Sequence, residues 1–99
     1  MTGEPEAAPQ GVFEASDGAF FIGITTDKLW IDFCRAAGLD EVAADPRFVT
    51  AEARLRHREL LDQLLARLFA AGPAAEWIRF AEEAGVPAHL VDQRDDVYS

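Results

Sequence analysis

Cysteine, positive charge and long apolar runs are all scarce in these 99 residues. The single Cys34 cannot form an internal disulfide, and no thiolate metal cluster can be built from it, which suits a reducing compartment. Nine basic residues face eighteen acidic ones, giving a net charge of −9 that repels phosphate backbones and anionic lipid heads. Binding to nucleic acid or to a membrane surface is therefore not expected. No apolar run approaches the roughly 20 residues that span a bilayer, and the first residues lack a basic-then-apolar leader, so the expected location is cytoplasmic. Histidine occurs only as His57 and His89, and neither is spaced with another His, Cys or carboxylate pair in a way that makes a metal site. The sequence also contains no Gly-x-Ser-x-Gly and no phosphate-cradling glycine loop, and Ser99 stands at the chain end.

What is present is enough apolar material for one small domain: 49% hydrophobic residues, with seven Phe, two Trp and one Tyr. Phe13 to Trp30 organises the rest. Ser16-Asp17-Gly18 is a turn signal between two strands, because Asp bonds nearby backbone and Gly accepts positive φ. Ala19 to Ile24 has strand length and the composition of a strand buried on much of both faces. Thr25 or Thr26 then caps a helix, and Asp27 sits in its first turn, where the helix dipole favours negative charge.

Residues 1–11 carry two prolines and two glycines with almost no apolar anchor, and are expected to be a linker-like N-terminal segment ahead of a domain over 12–99. Trp30, Phe33, Cys34 and Ala37 recur at helical spacing, with Gly38 placed to close that helix in the left-handed conformation. Leu39 to Ala44 suits a short helical turn, stopped by Asp45-Pro46. Thr50 is a second N-cap. One long helix is expected to follow it, with Leu61, Leu64, Leu65, Leu68 and Phe69 forming its buried stripe. Gly72-Pro73 separates it from a helix carrying Trp77, Ile78, Ala81 and Ala84 up to Gly85. Val86 to Val91 reads as a third strand, with Pro87 at its start, and Asp92 as the cap of a last helix near Gln93. The order β, β, α, α, α, β, α gives an α+β class: a small three-stranded, mainly antiparallel sheet packed with three to four helices. A chain ending inside an element points to a piece of a longer protein.

The reactive residue types have plain structural readings. His57 falls beside Arg54, Arg56 and Arg58 on what reads as the solvated side of the long helix, and His89 sits among apolar strand residues, where packing or a hydrogen bond explains it. Cys34 lies on a buried stripe with no basic neighbour, where a thiol stays protonated. Ser16-Asp17 is better explained by local turn hydrogen bonds than as a nucleophile with its partner. Asp32, Glu41, Glu52, Glu76, Glu82, Glu83, Asp95 and Asp96 are spread over helix surfaces, as solubility alone requires. No complete catalytic site emerges. The remaining candidates are Thr25, Thr26 and Lys28, because a helix start offers N–H groups to an anion and Lys28 adds positive charge there.

An ordered set of residues resembles a known pattern: Phe13-Glu14-Ala15-Ser16-Asp17-Gly18, then Trp30 with Phe33-Cys34 and Gly38-Leu39, then Asp45-Pro46-Arg47-Phe48 with Thr50. Arg54, Arg58, Leu61, Phe69, Glu76-Trp77 and Gly85-Val86-Pro87 follow at matching separations. Across nearly its whole length the chain resembles the smaller domain of the class III CoA-transferases, the CaiB/BaiF family. That family includes formyl-CoA:oxalate and carnitine CoA-transferases, succinyl-CoA-dependent transferases and α-methylacyl-CoA racemases.

The resemblance implies a parent enzyme that moves CoA between an acyl-CoA and a carboxylic acid. It implies a separate large CoA-binding domain carrying the catalytic aspartate, and two parent chains interlocked as a homodimer. CoA or acyl-CoA is then the parent's substrate, while these residues alone bind no cofactor, hold no catalytic residue and transfer nothing. The stretch Ile24 to Trp30, with Thr25, Thr26 and Lys28, is implied to look toward the interdomain cleft over the acyl end of CoA. Racemases carry a glutamate in this stretch, and Thr25-Thr26 departs from that, favouring a transferase over the racemase alternative. His89-Leu90 replaces a frequent Gly-Pro, and His57 a frequent asparagine. A noncatalytic interaction domain of the same fold is the other alternative.

Overall fold

The computed structural model describes residues 7–91. Two strands, β1 (Gln10–Ala15) and β2 (Gly18–Gly23), are joined by the two-residue loop Ser16-Asp17, with Ala15 paired to Gly18. Five helices follow: α1 (Asp27–Ala36), α2 (Asp40–Ala44), α3 (Ala51–Arg56), α4 (Arg58–Phe69) and α5 (Ala74–Ala84). A short strand β3 (Ala88–Leu90) returns to β2, so the sheet order is β1-β2-β3, antiparallel throughout. The α+β class and the three-stranded sheet hold. The helix expected near Gln93 lies outside the described residues.

Because β2 is central, strands flank it on both edges, and Ala19, Phe20, Ile22 and Gly23 are buried with Phe21 half-buried on the outer face. On the inner face Phe13 and Phe20 meet the edge of the Phe69 ring from α4, at centroid distances of 5.2 and 5.1 Å. Phe33 and Trp77 close on the same ring, at 6.3 and 5.0 Å. One phenylalanine thus ties the hairpin, α1, α4 and α5 into a single core, with edge-to-face geometry adding to its burial. Helix α5 packs on α1, β2 and β3, and α4 on β1, making one helical layer against one sheet. On the outer face, Val12, Phe21 and His89 form a cross-strand row, with His89 stacked on Phe21 at 5.2 Å.

Four expectations are corrected. The long helix after Thr50 is two helices, since the backbone at His57 (φ −108°, ψ 34°) leaves the helical region; no Pro or Gly marks that break. This raises the count from the expected three or four helices to five. Leu64 is only half-buried, because Leu61, Leu65 and Phe69 alone point along the axis of the stripe and Leu64 lies on its flank. Residues 8–11, expected to be linker-like, are not loosely held: Ala8 and Pro9 are buried, the Pro9 carbonyl accepts the Ile24 N–H at 2.9 Å, and Gln10 begins β1. Arg54, expected on a solvated helix side, is 1% exposed.

Candidate functional site

The candidate site is the crossover from β2 to α1. Pairing holds its base: the Gly23 N–H donates to the Pro87 carbonyl at 3.1 Å and the Ile24 N–H to Pro9, leaving Ile24 fully buried. The chain then turns outward. Thr25, Thr26, Asp27 and Lys28 are all exposed. Of the two threonines Thr26 is the cap, with extended backbone (φ −131°, ψ 160°) and its Oγ1 accepting the Leu29 N–H at 3.1 Å. Its carbonyl accepts the Trp30 N–H at 3.0 Å, closing the first turn. Thr25, outside the helix, carries no capping duty.

Charge at this tip is already matched. Lys28 Nζ lies 2.6 Å from Asp32 Oδ2, one helical turn on, and Asp27 Oδ1 accepts from Arg54 Nη2 at 3.1 Å. Lys28 is therefore less than the lone positive charge the sequence suggests: its side chain is 83% exposed, but its ammonium is shared with a carboxylate. What the tip offers chemically is two hydroxyls and the N–H groups of a first helical turn, which have no partner inside the helix and favour an anionic oxygen. A threonine hydroxyl does not ionise in the physiological range, so neither Thr25 nor Thr26 can act as a proton acid or base in the way a carboxylate can.

Beneath the tip lies what the sequence reading missed. Arg54 donates from Nε to the Ala8 carbonyl at 2.9 Å, from Nη1 to the Phe48 carbonyl at 3.0 Å and from Nη2 to Asp27. Its guanidinium also lies over the Trp30 ring, 5.4 Å from the centroid. Burial weakens its hold on the proton, and the Asp27 carboxylate partly restores it. The Phe48 carbonyl is presented by a loop that Asp45 and Arg47 lock: Arg47 donates its backbone N–H and Nε to Asp45 Oδ1, at 2.9 and 3.0 Å, and Nη2 to Oδ2 at 2.7 Å. Those hydrogen bonds pull the Asp45 carboxyl down to about 2. The motif residues Trp30, Asp45, Arg47, Phe48 and Arg54 thus form one network under the crossover. No local pattern signals this burial: Arg54 lies in α3, and the break at His57 separates it from the Leu61-Leu65-Phe69 stripe of α4.

The other reactive types stay apart from the tip. Cys34 is fully buried and its thiol is pushed up to about 12 by that burial. His89 is exposed on the outer sheet face, and His57 is half-buried at the α3–α4 break. Asp17 reaches beyond the turn it was expected to brace: its Oδ1 accepts the Ala74 N–H at 2.9 Å, capping α5 from across the sequence. Among the described residues no three His, Cys, Asp or Glu side chains converge as metal ligands, and no helix is long and apolar enough to cross a membrane.

The sequence profile of CoA-transferase family III matches residues 2–99. The chain is similar to the acetyl-CoA:oxalate CoA-transferase of Acetobacter aceti, 37% identical over 84% of this chain and 21% of that protein. It is 36% identical to the Succinyl-CoA--D-citramalate CoA-transferase of Chloroflexus aurantiacus, over 85% of this chain and 21% of that one. A crystal structure of a CaiB/BaiF family protein from Brucella suis superposes with a TM-score of 0.82 at 29% identity, over 96% of this chain and 25% of that protein. The chain therefore spans about a fifth to a quarter of the length of these relatives. With the family profile matched from residue 2 to residue 99, the chain belongs to CoA-transferase family III.

Proposed function

We propose that this chain is the small domain of an enzyme that moves CoA from an acyl-CoA to a free carboxylic acid, and that it closes over the acyl end of CoA at a cleft shared with a large CoA-binding domain. The observation that carries this reading is the end-to-end family match combined with relatives about four times as long, two of which are named as CoA-transferases acting with a carboxylic acid. Thr25, Thr26 and Lys28 face the thioester. The Thr26-capped turn would hold a carboxylate or a developing oxyanion, with Lys28 contributing as half of its pair with Asp32. The nucleophile comes from the large domain, since acyl transfer through a covalent intermediate needs an ionisable group that the tip lacks. Racemisation needs an acid and a base at the substrate's α-carbon, and Thr25-Thr26 can be neither. The parent acts in the cytoplasm as an interlocked homodimer.

Two measurements test this. The isolated chain, mixed with an acyl-CoA donor and a carboxylate acceptor, is expected to give no turnover above buffer, whereas the full-length protein turns over. Thr26→Asp in the full-length protein keeps a good cap but sets a negative charge at the tip. An unchanged melting temperature with strongly impaired turnover is the expected result. Unchanged turnover would reduce Thr26 to a cap.

A further inference from the structure

Arg54 is an expensive way to fill a core. A charge withdrawn from water is recovered only through well-placed partners, and an apolar side chain of similar volume commonly serves stability as well or better. Its three partners are informative because they are far apart in the chain: Ala8 ahead of the hairpin, Asp27 at the start of α1, and Phe48 in the loop before α3. Two are backbone carbonyls, which only hold segments together. The third is a side chain of the tip itself, in the residue next to Thr26, and its carboxylate is 51% exposed. The guanidinium plane rests on Trp30, one turn into α1 and fully buried. Among the described residues the Trp30 indole N–H has no hydrogen-bond partner, and the ring is held there by packing and by the guanidinium. Arg54 therefore grips α1 twice within its first turn, while Asp45 and Arg47 keep the Phe48 carbonyl at its other side.

We propose that Arg54 is a positioning residue for acyl transfer: through Asp27 and Trp30 it sets the orientation of the Thr25–Lys28 tip over the thioester. This rests on the cleft reading given above. Its loss acts on turnover more than on substrate affinity, because a tip that is present but misaimed still covers CoA while its N–H groups miss the developing charge.

The test is a kinetic double-mutant cycle in the full-length enzyme, with Asp27→Ala, Arg54→Lys and the double variant. Asp27→Ala opens no cavity, and Arg54→Lys keeps the charge but cannot reach three separated oxygens. Each single change is expected to lower kcat by about tenfold or more while the acyl-CoA KM stays within about twofold. The double variant should be no worse than the weaker single, since both break the same link. Multiplying losses, or a kcat within about twofold of the parent in either single variant, would overturn the proposal. If Arg54→Lys does not fold, hydrogen exchange over residues 25–30 in Asp27→Ala decides instead: faster exchange supports the link and unchanged exchange sinks it. Thr26→Asp separates the two ideas. When it impairs turnover but the cycle fails, Arg54 is only a core residue; when Thr26→Asp is silent, Thr26 is only a cap and this proposal, which aims that tip, falls with it.

Discussion

Leu65 is fully buried beneath the sheet, and its neighbour Leu64 only half. Leu65→Ala is expected to cost about 2–5 kcal/mol and Leu64→Ala clearly less, read as shifts in urea melts. Two titrating side chains give predictions with opposite signs. Asp45 has its folded value drawn from 3.8 to about 2 by Arg47, so its contribution is complete above 3.8 and disappears as pH falls toward 2. Asp45→Asn should flatten the acid limb of melting temperature against pH. Cys34 runs the other way: held near 12 from an ordinary 9.0, it contributes fully below 9 and is lost as pH climbs toward 12. Its thiol should resist iodoacetamide in the native protein at about pH 8 and react once urea unfolds the chain. Burial of Cys34 was legible from its helical spacing. Burial of Arg54 was not, because an arginine among arginines reads as solvent-facing by type, and its partners come from residues 8, 27 and 48.

At the level of elements, caps and turns were the most readable features, since each depends on a few neighbouring residues. Thr26 and Thr50 both cap as their types dictate, and Gly38 (φ +74°) follows α1 in the left-handed region. The α3–α4 break was invisible because His57 is an ordinary helix residue and no Pro, Gly or side-chain cap marks the turn there. The β1–β2 hairpin was legible from Ser16-Asp17-Gly18, but the pairing of β3 was hidden, as it is three residues long and packs with α5 before it meets β2. The long reach of Asp17 joins two such elements. Asp17→Ala removes the acceptor for the first N–H of α5 and should cost about 0.5–2 kcal/mol, whereas Ser16→Ala should be nearly neutral, because Ser16 contributes its backbone N–H to Gly72. Thermal melts of the pair separate side-chain capping from mere turn formation.

For the molecule as a whole, the start of the described chain is part of the core. Ala8 and Pro9 supply carbonyls to Arg54 and to Ile24, so a version of the protein beginning at Gln10 leaves a buried guanidinium N–H and a buried amide without partners. Each such loss costs about 1–3 kcal/mol, and that version should melt well below one beginning at Ala7. The tip itself was readable as a helix start from Thr25-Thr26, but what steadies it was not, because its supports come from positions 8, 48 and 54 and no local pattern can announce them. The same dispersion bears on synthesis. The outer edge of β2 is covered by residues 88–90, which leave the ribosome long after residues 18–23 have paired with β1. Through that interval the hairpin carries an open edge rich in phenylalanine, a ready template for another nascent chain. If that edge templates aggregation, slower initiation or a holdase chaperone is expected to raise the recovered fraction, and a recovery that does not change would show that the open edge is harmless.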